Sequence, residues 1–510
     1  MKRISTVLLL SLLAFLYLPL QAQFKQIARS APFDEPETGE GTIFSLNNSS
    51  TIYLYHNNEN ELSYKLFDPN HIEILSAGLN TQSPAKKTKI NGPYEINNNI
   101  VLFLTCNTGN SIDLKRITIS AASGKMTEDL VLLSVAKGSF DVTKDPESDS
   151  YAVIKTEIKS KDEKEKVVIL FGKDNKEFCR GSFNGPENDQ QNFIFTGGGF
   201  IVTNDKVFIP GLQLTGKIKY GVNKGNRYMG LLEKGSTGFT YFPLDLPADI
   251  DYKRTVIKYN PAVNKMFYML YEENNDKGRL GTALILNIFD PVLKKATKVE
   301  TLEISENLNN AYKARFADRF KYRGTPQDFF IHDDGSFTVV YQEEFFEQSS
   351  VLLGKILTAN YNKEGVCISG YVLPKLHTLL QYSYYKVFRN SENESVEFGK
   401  GDQYKIAKYI NGPKQKYLLF NDTERNNNAE KDNYVQVTGL ALCDAFVYKL
   451  SGDDVLPKRE YVFGAVPNKH ILGNFAISHY NKTTNTFVTL RIDKESAKDK
   501  MVNIVWLQPQ

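Results

Sequence analysis

The sequence predicts an all-β fold: a β-propeller built of four-stranded antiparallel blades. Three observations carry that prediction. A hairpin of two apolar or alternating strands around a tight polar turn recurs eight times along the 510 residues. Most copies are followed by a third strand, a second turn and a fourth strand. The 32 Phe and 28 Tyr against a single Trp, Trp506, supply large rings for sheet interfaces, and they exclude β-rich families whose repeats each need a Trp. One such sheet has open edges and two half-covered faces, so it is stable only when stacked on neighbours. Eight blades are expected, or seven if the weakest unit, 199–243, is not a blade.

Taken in order, residues 1–23 (MKRISTVLLLSLLAFLYLPLQAQ) read as a signal peptide. Lys2 and Arg3 form the charged start, Val7 to Leu18 the apolar stretch, and Pro19 a break before Ala22. The apolar run is shorter than a membrane span requires. Residues 24–510 are then expected to be a single propeller domain, exported to the periplasm or beyond. The first hairpin is TIFSLNNSSTIYLYH at 42–56, followed by LSYKLF (62–67), the turn DPN and HIEIL (71–75). Further hairpins lie at 94–105, 139–156, 199–209, 255–271, 328–341, 404–420 and 474–490. Their centres hold Asn-Asn, Asp-Pro, Asn-Asp, Asn-Pro, Asp-Gly, Asn-Gly-Pro and Asn-Lys, residues that accept tight turns and positive φ. Third and fourth strands flank GKDNK (172–176), DPVLKK (290–295) and NKEG (362–365). The last unit ends on MVNIVWL (501–507) without a fourth strand, while FKQIA at 24–28 is unassigned. The N-terminal strand is therefore expected to complete the last blade and close the ring, with Trp506 packed at that seam.

Two segments depart from the strand pattern. ENLNNAYKARFADRF at 306–320 predicts a helix, with Tyr312, Phe316 and Phe320 on one stripe and Arg315, Arg319 and Arg323 beside it. The stretch 376–401 reads as a long, partly polar loop.

In an up-and-down blade the turns joining strands one to two and three to four share one side of the disc. The two-to-three loops and the links between blades share the other. Here the second class holds the long polar loops, 56–61, 157–166, 271–279, 342–350 and 421–433. A rigid scaffold with variable loops on one face predicts recognition there. Candidate binding residues on that face are Glu272 and Glu273, Glu343 and Glu344 at the equivalent strand ends of the next unit, His56 at the matching place in the first unit, and Asp422 and Arg425 in the 421–433 loop. Paired carboxylates are also what glycoside cleavage needs.

The composition narrows the chemistry. With 62 basic and 59 acidic residues the formal charge is +3, and removing Lys2 and Arg3 with the signal leaves +1, since residues 1–23 hold no acid. Such a balance gives no field for nucleic acid. Cys106, Cys179, Cys367 and Cys443 are widely spaced and lack the CxxC pairs or His offsets of a metal site, and Cys106 and Cys443 read as buried strand residues. The six His are scattered, His332 falling in a tight turn on the opposite face. HDDGSF (332–337) fits a hairpin turn rather than a calcium loop. No GxSxG elbow is present, and TGGGF (196–200) is not followed by a helix, so it reads as a bend entering a strand. The string YSYY (382–385) reads as sheet packing.

By architecture the chain resembles exported β-propeller proteins over nearly all of its mature length. The repeat motifs of WD, kelch, sialidase and Trp-docking quinoprotein propellers do not match, so the resemblance implies a fold and no functional residue. The expected function is that of a non-enzymatic secreted module that binds a protein, peptide or glycan through its long-loop face, as a monomer, with no cofactor, metal, nucleic-acid partner or membrane span. The alternative expectation is a polysaccharide-active glycoside hydrolase or lyase using the rim carboxylates.

Overall fold

Eight separate antiparallel sheets follow one another along the chain, each continuing the alternation of inward and outward residues that the hairpins announce. The computed structural model describes residues 24–510 except 58–60, 80–87, 161–163, 189–191, 197–198, 215–223, 249–251, 277–278, 347–349, 381–394, 400, 428–432, 452–456, 458, 467–468 and 495–500. Residues 1–23, expected to be a signal peptide, and the YSYY string lie outside the described residues. Blade one is Glu40–Ser45, Thr51–His56, Leu62–Phe67 and Glu73–Gly78, paired in that order. Blade eight is His470–Asn481, Thr486–Lys494 and Met501–Pro509, and its fourth strand is Phe24–Arg29 from the other end of the chain. The register runs Phe24↔Pro509 to Arg29↔Val505, so the expected closure is the observed one.

Each pair of neighbouring blades is joined by an apolar cluster, and blades seven and eight by two. Leu54 and Ile100 belong to the cluster between blades one and two, and Phe289 and Phe208 to that between five and four. At the seam Trp506 is completely buried with Ile43, Tyr53 and Phe67 of blade one. Its ring stacks on His71 at 4.7 Å and meets Phe67 edge-on at 5.1 Å, while its Nε1 donates to Thr51 Oγ1 at 3.0 Å. Phe24 packs edge-on against Tyr417 of blade seven, so the closing strand is bound on both sides.

Blade four, the weakest in sequence, is a blade whose inner strand is broken. Phe193–Phe195 and Ile201–Thr203 pair with the same neighbour, Lys206–Leu214, on either side of TGGGF. Two expected loops are largely strand. Lys265–Asp276 pairs with Arg279–Asp290 as far as Asp276↔Arg279, and Phe337–Phe346 pairs with Val351–Tyr361 across a bulge at Gln342/Glu344. Continuing the ladder past the rim satisfies backbone groups that a loop would leave to water. The hairpin expected from Tyr404 starts later, at Lys408–Asn411, after a 3-10 turn at Asp402–Lys405.

The predicted helix, α1, is Glu306–Phe316, capped by the Ser305 side chain on the Leu308 amide and stopped by left-handed Ala317. Tyr312 and Phe316 are buried, but Phe320 lies past the stop and is exposed, which shortens the expected stripe by one turn. All four cysteines are free thiols, with Cys106 and Cys443 buried as expected. Among the described residues no helix is long and apolar enough to cross a membrane.

The link between blades six and seven is not a simple surface loop. His377–Leu379 pairs with Val351–Leu353 of blade six. Val396–Glu397 then pairs with Glu40 and Gly41, on the inner edge of blade one, before the chain returns to blade seven. Phe398 is buried against Gly41, where a Cβ would lie 2.7 Å from its ring. The described parts of the link thus touch blade six at His377–Leu379 and the inner edge of blade one at Val396–Glu397.

Candidate functional site

First strands of all eight blades surround a central channel of about 1190 Å³. Each runs from the long-loop face toward the short-turn face, so its sequence sets the lining from one mouth to the other. Glu40, His56, Gln327, Gln342 and Ser395 lie at the long-loop end. Glu147, Asn260, Asp333, Asn411 and Lys482 lie at the short-turn end. Between them the wall mixes the rings of Tyr94, Tyr259, Phe330, Tyr409 and Tyr480 with amides and lysines. Phe330 and Tyr409 are stacked at an angle across the blade six to seven interface, 4.4 Å between centroids.

The charges in this wall are largely matched. Five lysines face four carboxylates. Lys258 of blade five donates to Asp328 Oδ1 at 2.8 Å and to the Phe329 carbonyl at 2.6 Å in blade six. Lys89 of blade two is 2.8 Å from Asp141 of blade three. Glu40 accepts from Ser395 of the link between blades six and seven. Three polar atoms stand out: His56 Nε2, Asn91 Nδ2 and the Tyr409 hydroxyl are buried, belong to residues lining the channel and have no hydrogen-bond partner among the described residues. A buried polar atom without a partner costs roughly 1–3 kcal/mol, which a bound ligand can recover.

Below the short-turn mouth, Lys416 Nζ approaches His332 Nε2 at 3.0 Å, and Asn411 lies 3.3 Å from its Nδ1. Burial, reinforced by Lys416, pushes the His332 imidazole down to about 4. It is neutral at ordinary pH and acts as a fixed dipole.

The sequence-predicted residues divide into three groups. His56 reaches the channel, and Glu344 reaches its wall indirectly, accepting from Gln327 Nε2 at 2.6 Å. Glu343 and Asp422 are framework. Glu343 is buried, accepting from the Tyr312 hydroxyl of α1 at 2.6 Å and the Lys355 amide at 3.1 Å. Asp422 is fully buried and accepts from Arg459 at 2.9 Å, Asn426 at 2.8 Å and the Thr423 amide at 2.8 Å. Glu272 is half-buried on the blade five hairpin, Glu273 on the same strand pairs with Thr282 of the neighbouring strand, and Arg425 is exposed on the turn Glu424–Asn427. Glu343, Glu344 and Asp422 therefore do not converge on one point, since each carboxylate is held by different partners.

Sequence reasoning missed the channel tyrosines and asparagines. A signal for them exists: Tyr and Asn close the first strand in blades five, seven and eight, as Tyr259-Asn260, Tyr409 with Asn411, and Tyr480-Asn481.

No family model matches the chain, and no curated protein is similar to it. Similar solved structures include the β-propeller domain of the Trilobed protease from Pyrococcus furiosus, 10% identical with a TM-score of 0.38, covering 84% of this chain and 97% of that one. The WD40 domain of SCAP from fission yeast is 10% identical, TM-score 0.36, covering 95% and 94%. An oligogalacturonate lyase in complex with manganese is 12% identical, TM-score 0.40, covering 78% and 95%.

Proposed function

We propose that the protein is an exported, non-enzymatic binding module that takes a glycan chain into the long-loop end of its central channel. The observation that carries this reading is the channel wall itself: aromatic rings beside amides, near-balanced charge, and His56 Nε2 and Asn91 Nδ2, unpartnered among the described residues. Rings stack on the C–H faces of sugars, amides and imidazole bond hydroxyls, and balanced charge suits a neutral polar chain over an anionic polymer. The pattern of residues 1–23 supports export.

The cleavage reading has less support. Of its carboxylates, Glu343 is buried under α1 and Glu344 is engaged with Gln327, which withdraws both acids of that blade from a sugar.

A glycan array probed with residues 24–510 tests the proposal. Tyr259→Ala and a combined His56→Ala, Asn91→Ala variant should each weaken the best glycan at least tenfold, roughly 1.4 kcal/mol. Unchanged binding in both variants, or binding lost only when the 421–433 loop is shortened, would move the site out of the channel. Release of shortened sugars during incubation would replace binding by cleavage.

A further inference from the structure

Every blade ends on an outer strand with an open edge, and proteins blunt such edges because an unpaired ladder invites another strand. Most outer strands here follow that rule. Those of blades seven and four have three and four residues. Those of blades one, three and eight have six, with charged side chains among them, and that of blade five has eight, of which three are charged. In blade six α1 lies over the outer strand, where a Cβ on Gly370 would come within 2.7 Å of the Leu308 side chain.

Blade two departs from the rule. Its outer strand, Met126–Val135, has ten residues and pairs with Ile112–Ile119 on one side and, among the described residues, with no strand on the other. Leu130 and Val131 at its middle are 40% and 47% exposed, whereas no other described outer strand carries two consecutive exposed aliphatic residues. Its two carboxylates do not shield it. Asp129 lies 2.7 Å from Lys115 Nζ on the neighbouring strand, and Glu128 accepts from Thr118 Oγ1 at 2.6 Å and from Asn175 Nδ2 at 3.1 Å. Both charges are drawn back onto the protein, which leaves an apolar stretch on the open edge. The run Glu128–Val131 is also regular, lying between bulges at Met126/Glu128 and Val131/Leu133.

The occupant that fits this edge is the same edge of a second copy. A two-fold axis normal to the sheet sets identical strands antiparallel and keeps each side chain on its own face, so a residue can stand opposite itself. With the axis at Leu130, the two Leu130 side chains meet, Val131 stands opposite Asp129 of the partner subunit, and Glu128 stands opposite Leu132 of the partner subunit. No carboxylate then faces a carboxylate.

We propose that the protein forms a reversible two-fold dimer by pairing the Met126–Val135 edges of two copies, joining two four-stranded blades into one eight-stranded sheet. The pair replaces the monomer expected from the sequence and does not depend on the glycan reading. One ladder with a few aliphatic side chains is a small contact, of the weak and transient class.

Analytical ultracentrifugation of residues 24–510 tests it: the mean mass should rise from one chain toward two between about 1 and about 200 μM, where a small interface associates. Leu130→Lys and Leu130→Glu each set like charges directly opposite at the axis, and each should raise the concentration required by about tenfold or more. Mixed together, the two variants should pair with each other, because Lys then meets Glu. Ile368→Lys, at an exposed position of the blade six outer strand, should associate as wild type does. In the wild type the amides of residues 128–131 should exchange hydrogen more slowly at about 200 μM than at about 1 μM, a readout that needs no variant. A single-chain mass throughout, association unmoved by both Leu130 substitutions, no pairing on mixing them, or exchange at 128–131 independent of concentration would overturn the proposal.

Discussion

His377 lies wholly buried where the link pairs with blade six, its Nε2 3.7 Å from Asp422 Oδ1 and neither ring nitrogen in a hydrogen bond among the described residues. Burial, opposed by Asp422 and reinforced by Lys375 and Lys405, pushes its pKa down to about 4. The folded protein therefore refuses a proton that the unfolded chain accepts near 6.5. Stability from this residue is fully present above pH 6.5 and is lost as the pH falls from there to about 4, on the order of 3 kcal/mol in all. His332 acts in the same direction over the same window. Urea unfolding midpoints measured between pH 7 and 4 should fall steeply for the wild type and less steeply for His377→Gln. Parallel pH profiles for the two proteins would show that His377 protonates freely in the folded state.

At the scale of elements, the closing strand carries more than its six residues suggest. Phe24–Arg29 pairs with Met501–Pro509, places Phe24 between blades seven and eight, and leads into Phe33–Asp34 on the same neighbour. Deleting residues 24–29 leaves blade eight with an open edge and uncovers Trp506's sheet. The truncated protein should melt several degrees lower and elute at a larger radius, and the synthetic peptide FKQIAR should restore part of the loss; an unchanged melting temperature would mean that the ring does not need this strand. Elements were also what the sequence disclosed best. Leu62–Phe67 falls where LSYKLF was read, and Cys106 is the buried strand residue that VLFLTC implied. Strand alternation and turn residues act over a few positions, so local sequence suffices to set them. The 271–279 and 342–350 segments misled because polar residues can extend a hairpin beyond the rim as readily as form a loop.

For the whole molecule, the interfacial clusters form a closed circuit in which each blade is held by two neighbours and none has a free face. Cooperativity should follow from closure: an open array can fray from its ends, whereas a ring has none to fray. Trp506→Ala removes the largest side chain of the seam and the hydrogen bond to Thr51, a loss of roughly 3–5 kcal/mol for a buried aromatic. Thermal unfolding should stay a single transition at a lower temperature. Two resolved transitions would indicate that blade one or eight unfolds apart from the rest.

The sequence by itself determined that the chain alternates into four-stranded hairpin units and pointed to residues 24–28 as the closing strand, because pairing periodicity and turn chemistry are local; it left eight blades or seven open, and the structure has eight. The tertiary structure decided which side chains meet. His56 and Tyr480 stand over four hundred residues apart yet line one channel, and Glu343, expected at a working rim, is bound by Tyr312 of a helix that packs on the same blade. Closing the ring brings first strands from the whole length of the chain around one axis, and no window of sequence records which of their two faces turns inward.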